Sequence, residues 1–140
     1  MANFSADLRK FAEATNRNLT DTLRGVVLEL ATRVVMRSPV DTGRFRGNWQ
    51  LGHGGPDLRT DSPFDQQPLG SGPAPETFTR WNDQIEDIRA GSVVYISNNL
   101  PYARRLEYEG WSKQAPAGMV RVTVEEYGQI INRVVGSLKK

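Results

Sequence analysis

Residues 38–51 read SPVDTGRFRGNWQL, and this stretch separates helical sequence on one side from strand-forming sequence on the other. Pro39 disfavours helical backbone at the residue before it, so a helix that reaches this point must end here. Upstream, residues 4–37 carry apolar side chains at steps of three and four, which is the period of an amphipathic helix. At 1.5 Å per residue this helix is about 50 Å long, so part of it is expected to pack outside its own core.

The turn itself is predicted at Asp41, Thr42 and Gly43, because aspartate bonds its own nearby backbone and glycine tolerates a positive φ. A strand from Arg44 to Leu51 should follow. The same Asp-Thr-Gly triplet occurs in aspartic proteases, in which two carboxylates share a proton, so a chain with one triplet would have to dimerise to use it. A tight turn explains all three residues without that chemistry.

Downstream of the turn, the pattern is that of an α+β domain. Residues 52–75 hold five Gly and five Pro without periodicity and are expected to form a long flexible loop. The apolar periods then predict a helix at 76–90, a strand at 92–97, a short helix at 102–109, a strand at 119–124 and a final helix at 125–139. We expect one domain over residues 1–140, with a small antiparallel sheet packed with a long N-terminal helix and a C-terminal helix.

Composition argues against several kinds of site. The 140 residues include no Cys and one His, so disulfides, thiolate catalysis and a multi-histidine metal site within one chain are not expected. No cofactor and no metal are predicted. No apolar run has the ~20 residues of a membrane span, and the first residues lack a secretory signal, so a non-secreted protein without membrane contact is expected.

The charges are distributed unevenly along the chain. The net charge is +2, but it is +3 over residues 1–50, −4 over residues 51–90 and +3 over residues 91–140. Patches of opposite sign favour contacts with further copies or with neighbours. The acidic pairs Glu107 with Glu109 and Glu125 with Glu126 are interpreted as polar helix faces.

Aromatic residues and arginines cluster after the second strand. We predict that four of them lie at a subunit interface, since aromatic residues and arginine are enriched at interface centres. They are Arg104, Arg105, Tyr108 and Trp111. The same residue types also stack nucleic-acid bases, which leaves a nucleic-acid-binding module as an alternative function.

Two blocks of the sequence carry a family resemblance when they are taken in order. The first is residues 38–49, with the DTGR turn; the second starts with VYISNNLPYA at 94–103, includes Leu106 and Glu107, and ends with GWSKQAPAGMV at 110–120. Together they resemble the neck and tail-completion proteins of long-tailed bacteriophages, the siphoviruses. The Pro/Gly-rich stretch at 52–75 departs from the commoner pattern of that family.

The resemblance implies a virion structural protein of the phage neck with no enzymatic activity and no cofactor. It implies a homo-oligomeric ring, a hexamer or a dodecamer, that is assembled in the host cytoplasm and joins the head connector to the tail tube. The implied partners are the head connector or stopper and the tail terminator or tail tube proteins, with DNA passing through the lumen without sequence-specific binding. On the residues alone, a dimeric aspartic protease using Asp41 and a nucleic-acid-binding module stay open.

Overall fold

The computed structural model describes residues 4–89, 91–109, 112, 114–115, 118–129 and 131–132, and for residues 4–18 it describes the helical backbone alone. The elements, in chain order, are α1 (Phe4–Met36), α2 (Arg44–Gly47), β1 (Trp49–His53), α3 (Pro75–Gln84), β2 (Val94–Asn98), α4 (Ala103–Tyr108) and α5 (Val120–Glu125). β1 and β2 pair antiparallel, with Leu51 opposite Ile96. Helices with a small antiparallel sheet make this an α+β arrangement.

The core lies where the sheet packs against the second half of α1 and against α3. Its buried apolar members are Val27, Ala31, Val34, Val35, Phe45, Trp49, Leu51, Trp81, Ile85, Ile88, Leu100, Leu106, Ala115 and Met119. Ser38 fixes the end of α1 to β1, because its hydroxyl donates to the Val34 carbonyl (2.8 Å) and accepts from Trp49 Nε1 (2.9 Å). The helix ends at Met36, as the proline at residue 39 predicts.

The strand predicted from Arg44 to Leu51 is wrong in its first half. Residues Arg44–Gly47 form the helical turn α2, and the strand begins only at Trp49. The physical reason is that Gly43, with its positive φ, begins a helical turn that is closed by the hydrogen bond from Gly47 N–H to the Gly43 carbonyl (3.0 Å).

The strand predicted at 119–124 is also wrong, because Val120–Glu125 forms the helix α5. β-Branched residues favour strands weakly, and tertiary contacts override that preference here. Residues 127–129 and 131–132 are helical, whereas the rest of the helix predicted at 125–139 lies outside the described residues.

The other predicted elements are present with shifted ends. α3 stops at Gln84 instead of continuing to residue 90, and β2 runs from Val94 to Asn98. Of the predicted apolar face of α3, Trp81 and the following Ile85 and Ile88 are buried, while Phe78 is exposed. Among the described helices, none combines the length and the hydropathy that a membrane span requires.

Candidate interaction surface

The two sequence blocks 38–49 and 94–120 are in contact in the structure. Besides the pairing of β1 with β2, the side chain of Gln114 accepts from Val40 N–H (2.8 Å) and donates to the Val40 carbonyl (3.2 Å). Asn98 Nδ2 donates to the Phe45 carbonyl (2.9 Å). The turn of the first block and the segment after β2 are therefore held together as one surface.

Gly43 is the residue on which the turn depends. Its φ is +90°, as the sequence predicts for the residue that closes this turn. Its carbonyl accepts from Asp65 N–H (2.8 Å), and a Cβ at this position would lie 2.4 Å from the Asp65 carbonyl oxygen. The Thr42 hydroxyl accepts from Arg44 N–H (3.2 Å), while Asp41 and Thr42 themselves are exposed.

A buried arginine joins this turn to the long loop. The side chain of Arg46 is 0% exposed and donates to the carbonyl oxygens of Val35 (2.9 Å), Ser71 (3.1 Å) and Gly72 (2.7 Å). Its Nε lies 3.3 Å from Asp65 Oδ1, and this carboxylate is also 0% exposed. Both charges are therefore paired in the interior, which is the condition under which buried charges are tolerated.

Asp65 is the second centre of this network. Its carboxylate accepts from Gln67 N–H (3.2 Å), Ala74 N–H (2.8 Å) and the Thr77 hydroxyl (2.9 Å) as well as from Arg46. Burial alone would raise the pKa of Asp65, but these hydrogen bonds and the charge on Arg46 outweigh it and hold the pKa below its ordinary value.

Further contacts tie the loop to β1. Ser62 N–H donates to Asn48 Oδ1 (3.1 Å), and Gln50 Nε2 donates to the Ser62 hydroxyl (2.7 Å). The loop at 52–75 has no regular secondary structure between β1 and α3, yet Ser62 and Asp65 are buried in it. That the loop is flexible stays a prediction, and the buried Ser62 and Asp65 restrict any flexibility to the other parts of the loop.

The exposed side of the turn forms one wall of a cleft of about 520 Å³. Asp41, Arg44 and Phe45 line it from the turn, and Tyr102 and Leu106 line it from the segment after β2. Phe64, 51% exposed, is also part of the lining. The cleft combines aromatic side chains with a guanidinium at the turn, and both residue types are enriched at protein interfaces.

The interpretation of Glu107 as part of a polar helix face is wrong. It is 8% exposed, and its carboxylate accepts from the backbone N–H groups of Met119 (2.7 Å), Val120 (2.9 Å) and Arg121 (2.9 Å). These are groups at the start of α5 that lack partners within the helix. Burial raises the pKa of Glu107, but the three backbone donors and Arg121 reverse the shift and lower it.

Three of the four predicted interface residues lie on α4. Arg104, Arg105 and Tyr108 are exposed, whereas Trp111 lies outside the described residues. The guanidinium carbons of Arg104 and Arg121 lie 5.5 Å and 5.1 Å from the centre of the Tyr108 ring. These are cation–π distances, so the arginines concentrate positive charge around an exposed aromatic ring.

Sequence reasoning missed Arg46, Asp65 and Glu107 as structural residues. The signal available in the sequence is indirect: Arg46 stands between the aromatic residues Phe45 and Trp49. Nothing near Asp65 distinguishes it from the other acidic residues of its segment, and Glu107 belongs to the second block of the family resemblance but carries no sign there that it is buried. In the part of the chain that the structure describes, no group of His, Asp and Glu side chains is arranged to hold a metal ion.

Comparisons with protein-family models, with curated proteins and with solved structures find no match to this chain.

Proposed function

We propose that this chain is a virion structural protein of the phage neck, which forms a ring that joins the head connector to the tail tube. One observation carries the proposal: the two sequence blocks that resemble neck and tail-completion proteins are packed together and line a common cleft. The resemblance rested on their order along the chain, and their contact in space supports interpreting them as parts of one functional surface.

The distribution of buried and exposed residues within the first block also supports this proposal. Arg46, Gly47 and Asn48 are buried and hold the loop, which explains these residue types structurally. Asp41 and Arg44 are exposed at the cleft and have no such internal role. We assign the cleft to contact with a neighbouring neck protein, because exposed aromatic and charged side chains around a cleft suit protein recognition.

The finer architecture belongs to the same proposal. A helix as long as α1 gives each subunit a rod of about 50 Å, part of which packs against a neighbour in the ring. The exposed parts of the 52–75 loop become ordered against a partner on assembly, because ten glycine and proline residues give the free loop little periodic apolar surface to bury.

The test is assembly of the purified chain, alone and mixed with isolated connectors and tail tubes, followed by sedimentation velocity and negative-stain microscopy. We expect a discrete ring species and a new layer of density at the end of the connector or of the tube. A chain that stays monomeric in every mixture would overturn the proposal. A dimer that cleaves peptides and loses this activity in Asp41→Asn would support the protease, and salt-dependent DNA binding by the isolated chain would support the nucleic-acid module.

A matched pair of variants tests the cleft itself. Phe64→Ser removes an exposed aromatic side chain from the cleft, whereas Phe78→Ser removes one of similar exposure from α3. We expect Phe64→Ser to reduce co-sedimentation with connectors or tubes at least about tenfold, as loss of a central aromatic anchor does. Phe78→Ser should bind like the unmodified chain. Equal binding by both variants would remove the cleft from the contact.

A further inference from the structure

The outer edges of the two strands, which face away from the β1–β2 pairing, differ in their hydrogen bonding. On β1 the outer edge is covered, since Leu51 N–H donates to Gln84 Oε1 (2.9 Å) and the Trp49 carbonyl accepts from side chains of α3. The backbone N–H and C=O groups of Leu51 therefore point away from β2. Ile96 is the residue opposite Leu51, and its backbone N–H and C=O groups point away from β1. The backbone groups of Val94 point to the same edge as those of Ile96, because the two residues are two positions apart in the strand. Within the described residues, no hydrogen bond reaches the outward groups of either residue, so β2 has an unpaired edge.

A groove of about 350 Å³ lies between the sheet, α4 and the start of α5, and β2 lines it. Ile96 and Asn98 contribute to it from β2, Ala103 and Tyr108 from α4, and Met119 from the residue before α5. A space between a strand edge and a helix is the arrangement into which an extended peptide adds as a further strand. Its main-chain hydrogen bonds supply affinity in that mode of recognition, and side-chain pockets supply selectivity.

The groove is positively charged on its helical side. Arg104 and Tyr108 both line it, and the guanidinium groups of Arg104 and Arg121 both contact the Tyr108 ring. Glu107 offsets one of these charges, because its carboxylate forms an ion pair with Arg121 (Nε to Oε1, 3.4 Å), so the net positive charge of the groove comes from Arg104. An occupant with a carboxylate beside Arg104 therefore complements the groove.

Residues 57–61, with the sequence DLRTD, offer a segment of this kind on the same chain. The Asp57 carbonyl accepts from Asn99 Nδ2 (2.9 Å), and the Arg59 carbonyl accepts from Gln50 Nε2 (3.4 Å), so alternate backbone groups face the sheet. Between them, Leu58 is 68% exposed, the highest value among the large apolar residues that the structure describes.

The backbone and the charge of this segment fit the groove. No hydrogen bond to the backbone of Leu58 or Thr60 occurs within the described part of the chain, so these groups are open for pairing. The Arg59 guanidinium is held by the Asp57 carboxylate (Nη2 to Oδ2, 2.5 Å). The exposed Asp61 then leaves the segment with net negative charge.

We propose that residues 57–61 of one copy of this chain add to the outer edge of β2 in the next copy, with Leu58 in the groove and the net negative charge of the segment near Arg104. The two contact surfaces differ, so the contact is head-to-tail and generates a closed ring when the rotation between copies allows it. The inference rests on the proposed ring and names the contact that builds it.

Cross-linking tests the contact directly, because the natural chain has no cysteine. The double variant Leu58→Cys/Tyr108→Cys places one thiol on the segment and one on the α4 side of the groove, where Tyr108 is exposed; Leu69→Cys/Tyr108→Cys is the matched control, with the thiol at another exposed leucine of the loop. With a short bismaleimide we expect a ladder of covalent oligomers from the first variant and monomer from the control. Equal ladders, or dimers of Leu58→Cys alone, would overturn the head-to-tail assignment.

Charge exchange provides an independent test. Asp61→Arg and Arg104→Asp should each reduce the assembled fraction severalfold, and the combined variant should restore it, with the melting temperature unchanged throughout. If the natural chain forms rings but neither cross-linking nor charge exchange responds, this contact is wrong and the neck function stands. If the natural chain never assembles with itself or with neck components, both proposals fail.

Discussion

Replacing Asp65 by alanine should destabilise the protein strongly, although the residue lies in a loop without regular secondary structure. The substitution removes the acceptor of three hydrogen bonds, from Gln67 N–H, Ala74 N–H and the Thr77 hydroxyl. It also leaves the guanidinium of Arg46 in the interior without its counter-charge.

Removing one partner of a buried ion pair costs about 3–5 kcal/mol, because the remaining charge stays desolvated. Arg46 keeps its three carbonyl acceptors, at Val35, Ser71 and Gly72, and this places the expected loss near the lower end, about 3 kcal/mol. A domain has a total stability of about 5–15 kcal/mol, so this single carboxylate accounts for a large share of it.

The assay is urea unfolding followed by the fluorescence of Trp49 and Trp81, which are both buried. Asp61→Ala is the control, because Asp61 is exposed in the same loop and its removal should change the free energy of unfolding by less than about 0.5 kcal/mol. Arg46→Met/Asp65→Leu should cost less than the two single variants added together. A loss below about 1 kcal/mol for Asp65→Ala would refute the interpretation of this network as a buried, paired structure.

The remaining predictions concern the turn, the helix cap, the interface and the loop. Gly43→Val should lower the free energy of unfolding by more than about 1 kcal/mol, since the left-handed backbone and the nearby Asp65 carbonyl both exclude a β-branched side chain; unchanged urea unfolding would contradict this. The folded pKa of Glu107 is lowered, so its stabilising effect is complete above the unfolded value of about 4.3 and is lost as the pH falls through the folded pKa. Glu107→Gln should accordingly show a flatter decline of stability in acid, measured by unfolding titrations at several pH values. Arg104→Glu/Arg105→Glu should reduce incorporation into particles far more than the melting temperature, and a collapsed melting temperature would instead assign these arginines to the fold. Amide exchange in the 52–75 loop, outside the anchored amides of Ser62, Asp65, Gln67 and Ala74, should be fast in the monomer and slow in the assembly; fast exchange throughout the assembled state would count against ordering on a partner.

Local patterns predict the elements whose causes are local. The end of α1 follows from Pro39, the positive φ of Gly43 follows from its place in the turn, and β2 follows from its β-branched and aromatic residues. The buried face of α3 follows the helical period at Trp81. In each case the deciding interactions lie within a few residues along the chain.

The wrong predictions have causes that are distant in sequence. The helical turn after Gly43 is stabilised by Asp65, and the helix α5 begins where the carboxylate of Glu107 binds backbone N–H groups twelve to fourteen residues away. A sequence pattern shows neither partner, because an acidic residue in a polar segment has the same appearance whether it is exposed or buried. The same limit applies to the candidate surface: Arg104 and Tyr108 could be singled out by type, but their position beside an unpaired strand edge required the fold.

The way Asp65 holds the long loop also bears on how this chain can change in length. Its carboxylate binds Gln67 N–H before the exposed tip and Ala74 N–H after it, so the two ends of the tip are fixed by the same group. Doubling the length of a loop between fixed ends costs only about 0.6 kcal/mol. The stretch around Pro68 and Leu69 is therefore the place where insertions, whether acquired in evolution or added as an epitope tag, leave the rest of the domain intact.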